Sequence, residues 1–174
     1  MTNTMTNKVA GYIARSNMNP KMYLATNGEF HHDMHLGPGG YNVKIFKTAK
    51  GKYVAPMPIE SHFAENPYIE QVCLAGAGLP ETILLAVLSE VGRNTDRKTV
   101  GEDLRQLLEQ INAKLEHHER ISHILLSEET WTIENNLMTP TLKIKRAALE
   151  DKYMERLVAL SESGTGKTEL VVWE

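Results

Sequence analysis

Runs of hydrophobic residues predict three β-strands in the middle of the chain. Residues 69–75 and 82–88 are two such runs, and the segment between them contains glycines and a proline, which favour a short loop. Residues 83–88 are apolar at nearly every position, as in a central strand that is covered on both faces. Residues 121–126 form a third run, so we predict a small sheet of about three strands.

Apolar residues at helical spacing predict a long helix before the third strand. Between residues 99 and 115 they recur every three or four positions. Thr99 and Glu102 have the spacing of a capping box, which marks the start of a helix. We expect the helix to close at His117 and His118, because positive charge suits the carboxyl end of a helix.

Two further helices are predicted. Pro56 and Pro58 favour the start of a short helix that ends before Pro67. Residues 146–160 carry a second apolar stripe, with charged residues on the other faces. These elements predict an α+β fold class, with a small sheet of about three strands, flanking helices and one or two β-hairpins.

Alternating residues and turn formers predict the hairpins. One covers residues 41–54, with Lys50 and Gly51 at its turn. The other begins at Trp131 and turns at residues 134–136, where the sequence Glu-Asn-Asn tolerates turn geometry.

The segment after the second hairpin is predicted to be a rigid strand with a basic edge. Pro140 favours extended backbone in the residue before it. Leu142 and Ile144 are then expected to face inward, while Lys143 and Lys145 face outward. Such cations can stabilise an anionic reaction centre, for example a carboxylate that attacks a phosphate. On spacing alone, a solvated basic strand is the simpler interpretation.

The two ends of the chain are predicted to lie outside the ordered domain. Residues 1–40 show no sustained period and are expected to form a loose extension. It contains four candidate metal ligands, but neighbouring glycines favour a solvated loop, so we predict no metal site. These candidates are His31, His32, Asp33 and His35. Residues 161–168 resemble a phosphate loop only superficially, and we expect residues 161–174 to form a flexible C-terminal tail.

Composition restricts the classes of function. The 174 residues, of which 41% are hydrophobic, suffice for one ordinary domain with a core. The net charge of -3 argues against a general nucleic-acid binder. The single cysteine, Cys73, cannot form an internal disulfide and is expected to be a buried apolar residue. The start of the sequence lacks a signal-peptide pattern and no apolar run is long enough for a transmembrane segment, so we expect a cytoplasmic protein.

Two segments of the chain carry a resemblance to a known family. Residues 132–146 read Thr-Ile-Glu-Asn-Asn-Leu-Met-Thr-Pro-Thr-Leu-Lys-Ile-Lys-Arg, and residues 47–60 read Lys-Thr-Ala-Lys-Gly-Lys-Tyr-Val-Ala-Pro-Met-Pro-Ile-Glu. The first resembles the last motif of long-chain fatty-acid CoA ligases, which are AMP-binding members of the adenylate-forming superfamily, and the second resembles the segment after the interdomain hinge of that family. The order and separation of the motifs match the family. We therefore assign residues 41–160 to its small C-terminal lid domain.

The resemblance implies the activity of a complete enzyme. Ligases of this family join a fatty acid to ATP, with magnesium, to give an acyl adenylate and pyrophosphate. They then transfer the acyl group to the thiol of coenzyme A and release AMP. The large N-terminal domain holds most of the ATP and acyl sites, and the small domain swings between two orientations that serve the two steps. The expected partners are this large domain, in cis or in trans, with fatty acid and coenzyme A as substrates.

The resemblance also implies roles for individual residues. Lys143 matches the lysine that reaches the carboxylate and the α-phosphate during adenylation. Gly51, Lys52 and Glu60 match the loop on the coenzyme A side, which serves the thioester step. Val43 falls at the usual position of the hinge.

Several positions depart from the family pattern. Leu142 stands where many members of the superfamily have glycine, although long-chain ligases are similar to this sequence there. Lys50 stands at the first of two family glycines, and Tyr41 replaces the hinge arginine. Arg146 matches the terminal basic residue of the last motif, for which we expect a packing or structural role.

The sequence contains none of the motifs that belong to the large domain, such as its ATP loop. The isolated chain is therefore predicted to be inactive, because one positioned lysine cannot replace an ATP site. The alternative hypothesis is a free-standing, non-catalytic module that binds a nucleotide, acyl-CoA or a protein partner. The altered hinge motif favours this alternative, because a domain that no longer rotates need not keep the hinge chemistry.

Overall fold

The computed structural model describes residues 45–163 and 169–174. Within these residues the chain forms a four-stranded sheet, a two-stranded hairpin and four helices. The predicted α+β class, with a small sheet and flanking helices, is confirmed. In chain order the elements are β1 (Phe46–Lys47), β2 (Tyr53–Val54), α1 (Pro56–Ala64), β3 (Ile69–Ala75), β4 (Thr82–Leu88), α2 (Glu90–Asn94), α3 (Arg97–Asn112), β5 (Ile121–Ser127), α4 (Arg146–Ser163) and β6 (Val171–Trp173).

The strands of the main sheet are ordered β3-β4-β5-β6. Strand β4 is antiparallel to β3 and parallel to β5, and β6 is parallel to β5. An antiparallel neighbour can follow through a short loop, whereas a parallel neighbour needs a crossover, which α2 and α3 provide between β4 and β5. Every residue of β4 is buried. The prediction of a central strand that is covered on both faces is therefore confirmed.

The sheet has a hydrophobic core on each face. Successive side chains of a strand point to opposite faces, so Leu84 and Ala86 of β4 belong to one core while Leu85 and Val87 belong to the other. Helices α1 and α3 pack into the first core, and α4 packs into the second. The residues of α4 in the second core are Leu149, Tyr153 and Leu157.

Helix α3 begins and ends at residues other than those predicted. Its N-cap is Asp96, whose carboxylate accepts a hydrogen bond from the backbone amide of Thr99 at 2.9 Å, so the predicted capping box is wrong. The helix ends at Asn112 and does not reach the two histidines. The side chain of Asn112 bonds to both the backbone N–H and the carbonyl oxygen of Ile121. These bonds direct the chain into β5.

The last residues form a fourth strand, and the prediction of a flexible tail is wrong for them. Strand β6 pairs with β5, with Val171 opposite Ile124. Val171 is 8% exposed and belongs to the first core. The guanidinium group of Arg97 lies over the ring of Trp173, 4.8 Å from its centroid. The run Val-Val-Trp has the β-branched and aromatic residues that strands favour, so the signal was present in the sequence.

Replacing Val171 with Asp is expected to destabilise the domain, because the new carboxylate would lie in the core. We expect the free energy of unfolding to fall by at least about 2 kcal/mol. Urea unfolding of the 174-residue chain, followed by circular dichroism, measures this change. Glu169→Ala alters an exposed residue of the same segment and should change the free energy by less than about 0.5 kcal/mol. Equal stability of V171D and the wild type would show that β6 does not contribute to the fold.

Candidate functional site

The connection between β5 and α4 carries the basic residues of the predicted site. The predicted turn near residues 134–136 is present, because the amide of Asn136 bonds to the carbonyl oxygen of Ile133 at 3.0 Å. The predicted rigid strand after it is absent from this connection. A single antiparallel bridge joins Met138 to Ile144, so the chain reverses again between them.

Three hydrogen bonds close this second reversal. The amide of Leu142 donates to the carbonyl oxygen of Thr139 at 2.9 Å, and the amide of Thr139 donates to the carbonyl oxygen of Lys143 at 2.8 Å. The amide of Lys143 also donates to the hydroxyl oxygen of Thr139 at 3.1 Å. Pro140 stands inside the loop, because its fixed φ suits the second position of a turn as well as extended backbone. We call residues 137–145 the Lys143 hairpin.

Leu142 has an unfavourable backbone conformation in this hairpin. Its φ is 58°, in the left-handed region that favours glycine, and 68% of the residue is exposed. The prediction that Leu142 faces inward is therefore wrong, because strand alternation does not extend into a loop. Short hairpin loops often end in a left-handed residue. Glycine, which the family resemblance implies at this position in many members of the superfamily, would adopt this φ without strain.

The two lysines of the hairpin differ in their surroundings. Lys143 is exposed, and its ammonium group makes no hydrogen bond or ion pair with the residues that the structure describes. The ammonium group of Lys145 donates to the side-chain oxygen of Asn136. The hairpin thus presents one uncommitted cation on a backbone that is fixed by hydrogen bonds.

Arg146 attaches the end of the hairpin to the sheet. Its Nη1 atom donates to Oε1 of Glu60 at 2.8 Å and to the carbonyl oxygen of Leu74 at 2.6 Å. The same atom lies 3.1 Å from Sγ of Cys73. The side chains of Arg146 and Glu60 are only 19% and 14% exposed. Arg146 therefore has the structural role that was predicted, and it joins α4 to α1 and β3.

The electrostatics of this contact keep Arg146 charged and Cys73 neutral. Burial alone would lower the pKa of Arg146. The electrostatic effects of Cys73 and Glu60 outweigh that of burial, so the pKa of Arg146 is raised above its ordinary value. Burial raises the pKa of Cys73 from 9.0 to about 12, although Arg146 acts in the opposite direction. A thiol with this pKa is protonated at physiological pH and is a poor nucleophile. Cys73 is buried, as predicted.

The start of the connection is attached to the same strand. The side chain of Gln71, in β3, donates to the carbonyl oxygen of Trp131 at 2.9 Å and accepts from its amide at 2.8 Å. The same side-chain nitrogen lies 3.4 Å from Sδ of Met138. Trp131 is 1% exposed and packs in the second core. Sequence reasoning missed Gln71, and its only signal was a polar residue within a largely apolar strand.

The β1–β2 hairpin carries two residues of the second predicted site. Gly51 has a φ of 74°, and Lys52 is exposed. Lys50, at the position of a family glycine, lies outside the left-handed region and forms an ion pair with Glu81 at 2.9 Å. Only the second glycine of the pattern is therefore required by the backbone, and the lysine fits the turn.

Glu60 is separate from this hairpin. It lies within α1, and its Oε1 atom accepts hydrogen bonds from both Arg146 and the backbone amide of Leu74, the latter at 2.6 Å. The structure therefore brings Glu60 together with Arg146. The hydrogen bonds and ion pairs of the described residues do not connect Gly51 or Lys52 with Lys143.

The remaining candidates lie outside the described residues. These are Val43 and the four candidate metal ligands, His31, His32, Asp33 and His35. The described segments contain no group of three or more His, Cys, Asp or Glu side chains that could hold a metal ion. Among the same segments, no helix combines the length and the apolar character that crossing a membrane requires.

Residues 44–163 match the family model described as "AMP-binding enzyme C-terminal domain". Fatty acyl-CoA synthetase A of Dictyostelium discoideum is 29% identical over 130 residues, which are 63% of this chain and 20% of that protein. Human long-chain-fatty-acid–CoA ligase 1 is 29% identical, with coverage of 65% of this chain and 19% of that protein. The chain thus spans about one fifth of the length of the curated relatives it matches.

Solved structures show the same fold. The A-PCP didomain of carboxylic acid reductase from Segniliparus rugosus, in complex with AMP, matches with a TM-score of 0.59 and 20% identity, over 83% of this chain and 22% of that chain. The adenylation domain of the carboxylate reductase from Mycobacterium chelonae matches with a TM-score of 0.58 and 21% identity, over 84% of this chain and 25% of that chain.

Leu142→Gly is expected to raise the free energy of unfolding by about 1 kcal/mol, because glycine removes most of the cost of a left-handed residue. Leu142→Val should lower it by about 1 kcal/mol, since a β-branched residue tolerates this φ poorly. Urea unfolding of the three chains measures both changes. Thr141→Gly is the matched control: Thr141 is exposed in the same loop without a positive φ, and glycine there should be destabilising. Equal losses for L142G and T141G would contradict the assigned φ.

Cys73 is expected to react with a thiol reagent at pH 8 at least about a hundredfold more slowly in the folded chain than in urea, because of its raised pKa. The chain has one cysteine, so the absorbance change reports this residue alone. Unfolding lets the thiol titrate near 9.0, whereas the folded chain holds its pKa at about 12. Below pH 9.0 the thiol is protonated in both states, and the free energy of unfolding does not depend on it. As the pH rises from 9.0 toward about 12, the free energy of unfolding falls, because the unfolded chain loses this proton first. Fast labelling of the folded chain would contradict the burial of Cys73.

Proposed function

The chain belongs to the family of AMP-binding enzyme C-terminal domains, and from this premise we propose that it is the small lid domain of a long-chain fatty-acid CoA ligase. In this proposal it supplies Lys143 to the adenylation step and the β1–β2 hairpin to the thioester step. It has essentially no ligase activity until a large N-terminal domain, in cis or in trans, provides the sites for ATP and fatty acid. The names of its relatives, which are acyl-CoA synthetases and ligases, support this proposal.

The observation that carries the proposal is the uncommitted ammonium group of Lys143. Its backbone is fixed by hydrogen bonds to Thr139, so the base of the side chain has a defined position. The four-carbon stem then gives the ammonium group reach. Lys145 is a weaker candidate, because its ammonium group already bonds to Asn136.

The chemistry of the adenylation step suits such a group. A carboxylate oxygen of the fatty acid attacks the α-phosphorus of ATP, so an oxygen–phosphorus bond forms while the bond to the pyrophosphate breaks. Negative charge is shared among the phosphoryl, carboxylate and leaving-group oxygens during this exchange. A positioned ammonium group stabilises that charge through charge-assisted hydrogen bonds. Lys143 therefore acts by electrostatic stabilisation in this proposal.

The β1–β2 hairpin suits the thioester step. Gly51 lets the turn close tightly, and the exposed ammonium group of Lys52 is available to the phosphates of coenzyme A. Glu60 does not act on the substrate in this proposal, because its carboxylate is already paired with Arg146. Its role is to support the domain.

ATP and coenzyme A are substrates of the proposed enzyme, and magnesium accompanies ATP. The anionic phosphates fit the exposed ammonium groups of Lys143 and Lys52. The described segments offer no carboxylate cluster for the metal, so we propose that the large domain and the phosphates hold it. A cytoplasmic location is also part of the proposal, and only the sequence pattern supports it.

Lys143→Ala is expected to lower acyl-CoA formation about 10²- to 10³-fold when the chain is added to a separately made large domain. Pyrophosphate release and thioester formation are measured separately, and the first step should show the loss. Lys145→Ala, two residues away, is the matched control and should retain most of the activity. If the wild-type chain does not accelerate the large domain, the proposal is wrong. Direct binding of AMP, coenzyme A or acyl-CoA to the chain would then support the non-catalytic module.

A further inference from the structure

We propose that Gln71 and Arg146 form a two-point clamp that positions Lys143 for the adenylation step. Gln71 lies on β3 and bonds to Trp131 at one end of residues 131–146. Arg146, at the other end, contacts Cys73 and Leu74 of β3 and Glu60 of α1. The inference rests on the proposed function for its effect on catalysis. The clamp itself is a structural claim, and it can be tested on the chain alone.

The first point of the clamp is an amide contact. The side chain of Gln71 makes both a donated and an accepted hydrogen bond with the backbone of Trp131, at 2.9 and 2.8 Å. Its nitrogen also lies 3.4 Å from Sδ of Met138, which is the bridge partner of Ile144. One side chain therefore contacts both the entrance to the connection and the first strand of the Lys143 hairpin.

The second point of the clamp is the buried ion pair. Nη1 of Arg146 contacts the carboxylate of Glu60 at 2.8 Å and the carbonyl oxygen of Leu74 at 2.6 Å. Arg146 is only three residues after Lys143 along the chain. A shift of this guanidinium group would therefore be transmitted to Lys143 with little backbone between them to absorb it.

Most other polar contacts of the connection are internal to it. The side-chain oxygen of Asn135 accepts from the amides of Thr132 and Leu137, and its nitrogen donates to Glu129 and to the carbonyl oxygen of Thr130. These bonds shape the segment without attaching it to the sheet. Two further contacts reach helices: Nη2 of Arg93, in α2, donates to the hydroxyl oxygen of Thr130 at 2.8 Å, and Glu129 pairs with Lys152 of α4. The side chains of Arg93, Glu129 and Lys152 are 44%, 42% and 37% exposed, and such surface contacts hold a backbone weakly.

The clamp gives Gln71 and Arg146 a positioning role. Neither side chain needs to touch the substrate, because each affects the reaction by fixing the position of Lys143. A misplacement of about 1 Å can lower a rate about 10²-fold. Loss of one clamp point should therefore lower the rate of adenylation, while the binding of ATP and fatty acid by the large domain stays unchanged.

The structural claim is tested by using NMR to measure the rates of amide hydrogen exchange in the full chain. Gln71→Met keeps the length of the side chain and removes both hydrogen bonds to Trp131. In this variant we expect the amides of Leu142, Lys143 and Lys145 to exchange about tenfold faster, because the hairpin opens locally. The amides of β4 should be unchanged. Gln106→Met is the matched control, since Gln106 is exposed on α3 and its side chain bonds to Glu102 within the same helix.

The catalytic claim is tested with the large domain in trans. Increasing amounts of Q71M are added until acyl adenylate formation reaches a plateau, which we expect to be about tenfold to a hundredfold below the wild-type plateau with KM for ATP unchanged. A variant that is merely less stable would reach the wild-type plateau at a higher concentration. In chains that already carry Lys143→Ala, Q71M should have little further effect, because the two residues act as a unit. Arg146→Lys keeps the charge but loses the planar fork, so we expect a plateau between those of the wild type and Arg146→Met.

The outcomes separate the two proposals. Unchanged exchange of the hairpin amides in Q71M would overturn the clamp, whatever the enzyme assay shows. Two outcomes would overturn the positioning role. One is faster amide exchange in Q71M together with an adenylation plateau equal to that of the wild type. The other is a loss of rate from Q71M that is as large in chains carrying Lys143→Ala as in the wild type. If the wild-type chain gives no Lys143-dependent rate, the proposed function fails and the positioning role fails with it, whereas faster exchange would still establish the clamp as a structural feature.

Discussion

The arrangement of the candidate site depends on the contacts of one nitrogen atom, Nη1 of the largely buried Arg146. It contacts a carboxylate of α1, a carbonyl oxygen of β3 and a thiol of β3, and it stands at the first residue of α4. Removing one partner of a buried ion pair typically costs about 3–5 kcal/mol, because the other charge is left uncompensated. Neither Arg146 nor Glu60 can therefore be lost alone without destabilising the domain. The contact also sets where the connection from β5 ends.

Strand β3 can hold the connection because it is the edge of the sheet. In the described sheet it pairs with one strand, β4, so the backbone groups on its other side have no strand beside them. The N–H of Leu74 donates to Glu60, and its carbonyl oxygen accepts from Arg146. Side chains thus satisfy edge groups that would otherwise be open to another strand. The same contacts protect the edge and attach the candidate site, which explains why a charged pair is tolerated beside the hydrophobic cores.

The sequence correctly predicted those parts of the structure that depend on residues close together in the chain. The bounds of β3 and β4 follow from apolar runs, and both cores follow from alternation along them. The reversal at Pro140 was missed because a proline fits a turn and an extended strand equally well. The contacts of Gln71 with Trp131 join residues 60 positions apart, so no local pattern signals them. The left-handed φ of Leu142 arises within a local loop that Thr139 closes, but a leucine gives no sign of it. For Lys143, the family resemblance rather than its spacing singled it out.

The Lys143 hairpin combines a fixed backbone with a free side chain, and this combination has a physical rationale. The hydrogen bonds of Thr139 hold the backbone of Lys143, and the conformational cost at Leu142 is met during folding of the domain. The backbone entropy of the site is therefore lost before any substrate arrives. Only the rotamers of one exposed side chain remain to be ordered on binding. A strand would fix the backbone equally well, but its side chains stand across the sheet, whereas the side chain of Lys143 is exposed in a hairpin. In the proposed function, this exposure makes the ammonium group available to a reaction centre on the large domain.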